Sequence, residues 1–413
     1  MPWSPSTLWL MMAVLLGGGL LSACASLPDT QPVSGVLGGR PVSAGVDSDE
    51  AAYLMQHYLA GERLRPELDR RIDAVYAQTP DADLPDRDLL NRISDEFSVD
   101  FAAIYFADRV NRLPANRLLR ETYEAHLQRA LRGYDKAADK TLLPQAAAYE
   151  LIFVPAYHYE SHKTTGADLA DPRGALSDAG LDPQLVRTDE VGSIDVNAEV
   201  VADYLRERTR PDSKVIVVSA SKSSPEVALA LTALEPAYAR RVKAWINIVG
   251  TLQGTPLADE VLGDGPLSRY RVFVDDPGMH SMTTERRREA YKRIRTHDDL
   301  LIVNYIGVPV TGTISREVRD SYIVLRPYGP NDGLNLLADL IAPNSVTLAD
   351  FGRDHYMVDE TLRQRTIALV NTTVQWLESC KARQGRSWVS LTAGNHCGLA
   401  SRQDRVRKGQ GNG

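Results

Sequence analysis

Residues 214–225 read KVIVVSASKSSP, and this stretch decides the fold of the chain. Its four consecutive β-branched residues, 215–218, are typical of a parallel strand that is buried on both faces. Pro225 and Glu226 then suit the first turn of a helix, because proline loses no hydrogen bond there and a carboxylate meets the positive end of the helix dipole. Strand, tight turn and helix predict a nucleophile elbow that presents the Ser221 hydroxyl above the sheet edge.

The usual elbow pattern is G-x-S-x-G, whereas serines stand at both glycine positions here, Ser219 and Ser223. These positions need a small side chain because the strand and the helix pass close together. Serine adds one hydroxymethyl group, which strains the turn without forbidding it. Taken alone, the stretch also fits a buried strand that ends in a serine-rich loop.

Length and charge narrow the class of protein. The 413 residues suffice for one large domain with insertions or for two domains. The chain carries 47 Lys and Arg against 54 Asp and Glu, well mixed along its length. This balance excludes the basic, aromatic face that binds nucleic acid. The three cysteines show no zinc spacing, so no metal is predicted.

The first 23 residues predict an export signal. An apolar core at 8–16 is followed by LSAC at 21–24, a pattern that resembles a lipobox with cleavage before Cys24 and acylation of its thiol and amine, for example by palmitate. No Lys or Arg precedes the core, and the core is short for a membrane span. An ordinary signal peptide and an uncleaved anchor are the alternatives. Ala25, rather than the aspartate of inner-membrane retention, predicts the outer membrane.

Three regions with different compositions flank the part of the chain that is predicted to form the sheet. Residues 24–48 are rich in Pro, Gly and Ser and predict a flexible tether. Residues 49–145 have apolar positions at helical spacing and predict a helical module on the main body, with a docking surface for a partner as the alternative. The tail, 380–413, holds Cys380 and Cys397. An oxidising periplasm favours a disulfide between them, and two free thiols are the alternative.

Residues 146–379 alternate strands with helices, which predicts a parallel sheet with right-handed crossovers. The predicted strands are 149–154, 183–188, 215–218, 244–249, 300–310 and 345–351, and the clearest helices are 197–208 and 225–234. Residues 251–299 lack strand character and predict a cap-like insertion over the carboxyl edge of the sheet, with a lid as its candidate role.

A nucleophilic serine needs a base and an orienting acid, and on an elbow of this kind the chain order is serine, acid, histidine. His355 directly follows a predicted strand, whereas His396 lies in the polar tail and is the poorer candidate. Asp332 sits in the tight loop GPNDG and is the predicted acid, although Asn-Asp-Gly is also good turn chemistry. Asp354 is the second candidate for the acid, but it adjoins His355 and is expected to point elsewhere.

An oxyanion hole would use the backbone N–H of Lys222 and one N–H from the loop after the first predicted strand. Tyr157 is the predicted second donor, with Ala156 next. His158 and Tyr159 are candidates for lining the mouth of the site. Ordinary aromatic packing is the alternative for the tyrosine side chains.

Three segments resemble the α/β-hydrolase family and, within it, the bacterial triacylglycerol lipases and esterases. SASKSS at 219–224 resembles a relaxed His-Ser-Lys-Gly-Gly elbow, VGTLQGTPLAD at 249–259 resembles the Gly-Thr-Pro-His-x-Gly-Ser…Ala-Asp segment, and GPNDGL at 329–334 resembles the Pro-Asn-Asp-Gly-Leu acid loop. The resemblance covers about 149–359. It implies an α/β-hydrolase fold without a cofactor, with Ser221 as nucleophile, Asp332 as acid and His355 as base.

The chain departs from that family at the predicted oxyanion strand, which ends in Pro155-Ala156 where the family usually has His-Gly. The aspartates that bind structural calcium in some of these lipases have no match here.

The first interpretation of the chain is a lipid-anchored serine hydrolase that cleaves carboxylic esters, with lipid esters among the candidate substrates. A catalytically weak or inactive envelope protein that binds or scaffolds is the alternative. Amides and thioesters also remain open as substrates, since the same triad serves all three bonds.

Overall fold

The computed structural model describes residues 26–133 and 142–379. The export signal, Cys24, Cys380, His396 and Cys397 lie outside the described residues. In chain order the strands are β1 (Gln31–Leu37), β2 (Arg40–Val46), β3 (Glu150–Val154), β4 (Gln184–Leu185), β5 (Val215–Ala220), β6 (Val242–Ile248), β7 (Leu301–Val308) and β8 (Val346–Phe351).

Strands β3 to β8 form one six-stranded sheet in the order β4-β3-β5-β6-β7-β8. Every neighbouring pair in it is parallel. All six residues of β5 are buried, as its β-branched run predicts for a central strand. The predicted class, a mostly parallel sheet flanked by helices, is confirmed.

The helices cover both faces of this sheet or form the N-terminal part of the fold. They are α1 (Asp49–Tyr53), α2 (Pro66–Tyr76), α3 (Arg87–Glu96), α4 (Val99–Arg112), α5 (Pro114–Gly133), α6 (Ala170–Asp178), α7 (Ile194–Arg208), α8 (Ser223–Ala233), α9 (Pro236–Ala239), α10 (Pro256–Leu262), α11 (Arg271–Val274), α12 (Pro277–Ser281), α13 (Thr284–Tyr291), α14 (Arg319–Leu325) and α15 (Leu362–Ser379). A π-helical turn, Leu54–Tyr58, continues α1. None of the described helices is long and apolar enough to cross a bilayer.

Alternate residues of the strands pack on opposite sides of the sheet, as the two-residue period of a strand requires. Phe153 and Val218 pack with α5, α6 and α15 on one side. Ile152 and Val217 pack with α7 and α8 on the other side. The carboxyl edge of the sheet between these two layers is therefore left to the loops.

The tether predicted at 24–48 is wrong for most of its length, because 31–46 forms the antiparallel hairpin β1–β2. Val33, Leu37 and Val46 are buried in one core with α1 to α4. The turn uses Gly38 and Gly39, both with positive φ, 58° and 84°. Two such glycines between short apolar runs are a hairpin signal, which the overall richness in Pro, Gly and Ser obscured.

The helical module is present, but it ends earlier than 145. The hairpin and helices α1 to α4 share a core with the end of β7, and we call residues 31–112 the N-terminal module. Helix α5 was predicted to belong to this module. Its residues Leu119, Tyr123 and Leu127 instead pack in the core that covers the main sheet.

The insertion at 251–299 forms the short helices α10 to α13 between β6 and β7 and contains no strand. Its segment around α12 is bonded to the main body. The Gly278 N–H donates to the Val191 carbonyl at 2.8 Å, and the Ile194 N–H donates to the Ser281 hydroxyl at 3.1 Å. This segment forms one wall of the carboxyl edge, and movement of the insertion as a lid stays a prediction.

Candidate active site

Ser221 occupies a sharp turn between β5 and α8. Its φ is +53°, in the left-handed region that a residue with a side chain rarely adopts. Neighbouring backbone bonds fix this conformation: the Ser221 N–H donates to Ile248 at 3.0 Å, and the Ser221 carbonyl accepts from Ser224 and Thr251, each at 3.1 Å. The strain and its supports are those of a nucleophile elbow, which the sequence predicted here.

The serines that replace the two glycines of the motif are buried and hydrogen-bonded. Ser223 Oγ accepts from the Ala220 N–H at 2.9 Å and lies 2.8 Å from the Val154 carbonyl, to which it can donate. Ser219 Oγ accepts from the Trp245 indole N–H at 2.8 Å. Each added hydroxyl therefore has a partner, which explains why the turn accepts serine at these positions.

The close approach that demands glycine is found one loop further on, at Gly250. A Cβ there would lie 2.0 Å from Asn247 Oδ1 and 2.5 Å from Ser224 Cβ. Ser224 belongs to the first turn of α8, so Gly250 lets the loop after β6 pass directly behind the elbow. Sequence reasoning noted Gly250 only as part of a longer resembling segment.

The structure brings the three predicted side chains together. The Ser221 hydroxyl lies 3.0 Å from His355 Nε2, and His355 Nδ1 lies 2.8 Å from Asp332 Oδ2. His355 is 5% exposed and Asp332 is fully buried, so the contact between them is shielded from water. Asn335 Nδ2 also lies 3.2 Å from His355 Nδ1, but an amide nitrogen only donates, so the acceptor for the Nδ1 proton is Asp332 Oδ2.

The Asp332 carboxylate makes the contacts of both interpretations that the sequence offered as alternatives, a turn aspartate and a partner of His355. Its Oδ1 accepts from the N–H groups of Leu334 and Asn335 at 2.9 and 2.7 Å, which is the turn chemistry of an Asn-Asp-Gly loop. Its Oδ2 is thereby aimed at His355. The His355 N–H also donates to the Asp332 carbonyl at 2.7 Å, so the two loops are joined through the backbone.

Asp354, the second candidate for the acid, points away as expected. Its Oδ2 accepts from the Ser315 N–H at 2.9 Å and its Oδ1 from the Tyr356 N–H at 3.1 Å. The histidine loop is also held by Arg365 of α15, which donates to the Met357 carbonyl and, at 2.8 Å, to Asp359. Sequence reasoning missed Arg365, since no motif marks an arginine in a helix as a loop anchor.

The two residues predicted to form the oxyanion hole lie near each other, with Lys222 Nζ 6.0 Å from the centroid of the Tyr157 ring. Lys222 is the first residue after Ser221 and the N-cap of α8. The N–H of Ala156 donates to the Ala167 carbonyl at 2.8 Å, so this second-choice donor is occupied. The Tyr157 hydroxyl donates to Asp276 of the insertion. A Cβ on Gly278 would lie 2.9 Å from the Tyr157 ring and 3.0 Å from Lys222 Cε, so the insertion packs tightly against the side chains of both residues.

The aromatic residues after Tyr157 differ in role. The Tyr159 hydroxyl donates to the Thr188 carbonyl at 2.8 Å and the side chain is buried, which favours the packing interpretation. The ring of His158 lies 4.0 Å from that of Tyr157, between centroids. Burial, followed by the neighbouring His162, lowers the pKa of His158. A neutral His158 adds no charge next to the Tyr157 ring.

A buried ion pair supports the first turn of α8. Lys222 Nζ lies 2.6 Å from Glu226 Oε1, and the two side chains are 2% and 1% exposed. Asn197 Nδ2 donates to the same oxygen at 2.9 Å. Burial raises the pKa of Glu226 to about 7, although the Lys222 ammonium opposes that rise. The pair ties the residue after Ser221 to the helix beneath it.

A parallel sheet covered on both faces, a serine on a strand–turn–helix elbow, and an acid and a histidine on later loops define the α/β-hydrolase fold. The chain has this fold, as its sequence resemblance implied. No protein-family model matches the sequence, and no curated protein does.

Several solved structures are similar to the chain. The metagenomic carboxyl esterase MGS0156 is 21% identical over 56% of this chain and 76% of its own, with a TM-score of 0.44. The mature form of the lipase BlEst2 from Bacillus licheniformis is 21% identical over 51% of this chain and 86% of its own, also with a TM-score of 0.44. The phospholipase PlaB from Legionella pneumophila is 13% identical over 46% of this chain and 45% of its own, with a TM-score of 0.32.

Proposed function

We propose that this protein is a serine hydrolase that cleaves carboxylic esters through an acyl-enzyme on Ser221. The observation that carries the proposal is the continuous contact from the Ser221 hydroxyl through His355 to Asp332, at 3.0 and 2.8 Å, on a strained elbow. A buried carboxylate on Nδ1 fixes the imidazole tautomer that leaves Nε2 free to accept the serine proton.

The reaction then proceeds in two halves. Ser221 Oγ attacks the acyl carbon while His355 Nε2 takes its proton, and the developing oxyanion faces the N–H groups of Lys222 and Tyr157. His355 returns the proton to the alcohol oxygen as the carbon–oxygen bond breaks. Water, deprotonated by His355, then attacks the acyl-enzyme, and the acid leaves as Ser221 regains its proton.

A fluorophosphonate probe tests the nucleophile directly. We expect covalent labelling of Ser221 in the folded protein, lost in Ser221→Ala and kept in Ser223→Ala, because the Ser223 hydroxyl is buried and hydrogen-bonded. Mass spectrometry of the labelled peptide identifies the site. Folded protein that stays unlabelled would favour the inactive binding protein instead. Hydrolysis of nitrophenyl esters should follow the same pattern across the variants.

We also propose that the protein is lipid-anchored at Cys24 and faces an envelope compartment, on the basis of the LSAC pattern at 21–24. An alkyne-tagged palmitate fed to expressing cells should be incorporated into the wild-type chain and not into Cys24→Ala. Equal labelling of both proteins would contradict the anchor while leaving the hydrolase proposal intact.

A further inference from the structure

The segment that carries Asp332, residues 310–340, begins on the N-terminal module; we call it the acid segment. Asp100 of α4 is fully buried. Its Oδ1 accepts from the Thr311 N–H at 2.9 Å, from Thr311 Oγ1 at 3.0 Å and from the Tyr322 hydroxyl at 3.2 Å. Arg326 of the acid segment donates to Asp47 at 2.8 Å, and the Asp47 N–H donates to Asp100 Oδ2 at 2.8 Å. One buried carboxylate of the module thus holds the start of the segment.

The far end of the acid segment is held by the same module. Arg87 Nη1 of α3 lies 2.6 Å from Asp339 Oδ1, and the Asp339 side chain is 1% exposed. Between the two ends, Gly329 lies against α3, since a Cβ on it would be 3.5 Å from Asn91 Cα. The module therefore contacts the acid segment at its start, beside the acid loop and at its end.

The acid loop connects Asp339 to Asp332 through a few backbone bonds. The Leu337 N–H donates to the Pro330 carbonyl at 3.0 Å, and the Asp332 N–H donates to the Asn335 carbonyl at 2.9 Å. A displacement at Asp339 is accordingly transmitted over a short, closed loop to the carboxylate that faces His355.

We propose that the N-terminal module holds the triad acid in position, with Arg87 and Asp100 as positioning residues that keep Asp332 within reach of His355. This inference rests on the proposed hydrolase function. Without Arg87, the buried Asp339 carboxylate keeps only the longer contact to Arg288 Nη2 of the insertion, at 3.9 Å. The acid segment is then expected to shift and bring this poorly compensated charge toward water. The main sheet supplies the serine and the histidine, and the module supplies the support for the acid.

The Arg87 series tests this in the full chain. We expect Arg87→Ala to lower kcat roughly 10- to 100-fold with KM nearly unchanged, because a small misplacement of a catalytic group acts on the chemical step. Arg87→Lys should restore most of kcat, since the contact to Asp339 uses one nitrogen and one oxygen. Arg92→Ala, at an exposed position of the same helix, is the matched control and should equal the wild type.

A spectroscopic readout separates this inference from the proposed function. The proton between His355 Nδ1 and Asp332 Oδ2 should give a low-field ¹H resonance in the wild type, weakened or lost in Arg87→Ala and retained in Arg87→Lys. If the wild type hydrolyses no ester but the resonance still depends on Arg87, the positioning role stands and the hydrolase proposal fails.

The inference is overturned if folded Arg87→Ala keeps both kcat and the resonance of the wild type. Should Arg87→Ala fail to fold, Asp339→Asn replaces it, because the charge that then loses its partner is Arg87, whose side chain is 24% exposed and reaches water. That variant is expected to show a smaller loss of kcat in the same direction, and an unchanged kcat with an unchanged resonance would overturn the inference equally.

Discussion

Asp332→Asn is expected to lower kcat/KM for an ester by roughly 10³- to 10⁴-fold while leaving the fold intact. The amide keeps Oδ1 for the N–H groups of Leu334 and Asn335, so the loop has no reason to open. The group that faces His355 Nδ1 then becomes a donor. Nδ1 must accept from it, Nε2 carries the ring proton, and the Ser221 hydroxyl loses its base. Steady-state kinetics on a soluble nitrophenyl ester measure the loss.

Two further variants make that result specific. Asp320→Asn changes an exposed carboxylate of α14 in the same way and should leave kcat/KM unchanged. Asp354→Asn tests the second candidate for the acid. If Asp332→Asn stays within about tenfold of the wild type while Asp354→Asn falls by a thousandfold or more, the acid has been assigned to the wrong carboxylate.

Local patterns in the sequence were sufficient for the elbow and its partners. A β-branched run followed by a small-residue turn also fits a plain strand end, but the chain order of Ser221, Asp332 and His355 favours the elbow and restricts which loops can meet. The structure places these three side chains in hydrogen-bond contact. The exact strand ends differed from prediction by only one or two residues for most of the sheet, as for the predicted 300–310 and the observed Leu301–Val308.

The sequence could not show which helices pack on the main sheet and which belong to the N-terminal module. Helix α5 and the helices before it have similar amphipathic patterns, and a pattern tells only that a face is buried. The hairpin at 31–46 was misread for another reason. Its apolar positions, Val33, Leu37 and Val46, are too few to outweigh the surrounding small residues, and they became informative only once the core of the module was visible.

The buried charges were equally hidden. Asp100 and Thr311 are 211 residues apart in the chain, and Arg87 and Asp339 are 252 residues apart, so no local pattern pairs them. Lys222 and Glu226 have the i, i+4 spacing of an ion pair, but such pairs usually lie on an exposed helix face. Their burial follows from the position of α8 beneath the elbow.

The Lys222–Glu226 pair gives the largest expected effect on stability. Lys222→Met should lower the free energy of unfolding by about 3–5 kcal/mol, because it leaves the Glu226 carboxylate buried without its cation. The double variant Lys222→Met/Glu226→Met should recover most of that loss, since apolar side chains of similar volume remove both desolvated charges. Asn197 keeps its second hydrogen bond, to the Asp189 carbonyl at 2.8 Å, in either variant. Urea unfolding of the three proteins at pH 8 measures the difference.

The pH dependence of the single variant gives an independent check. Burial already raises the pKa of Glu226 from 4.5 to about 7 with Lys222 present. Without the ammonium, which lowers that pKa, it should rise further. A group whose pKa is raised on folding stabilises the fold at low pH and loses that contribution as the pH rises through the folded value. The loss in free energy of unfolding of Lys222→Met relative to the wild type should therefore shrink between pH 8 and pH 5.

Lys292→Met, which removes an exposed cation paired with Glu289, serves as the control and should show no pH-dependent loss in free energy of unfolding. A deficit for Lys222→Met that is small at pH 8, or that grows toward pH 5, would mean that the ammonium does not neutralise Glu226 beneath the elbow.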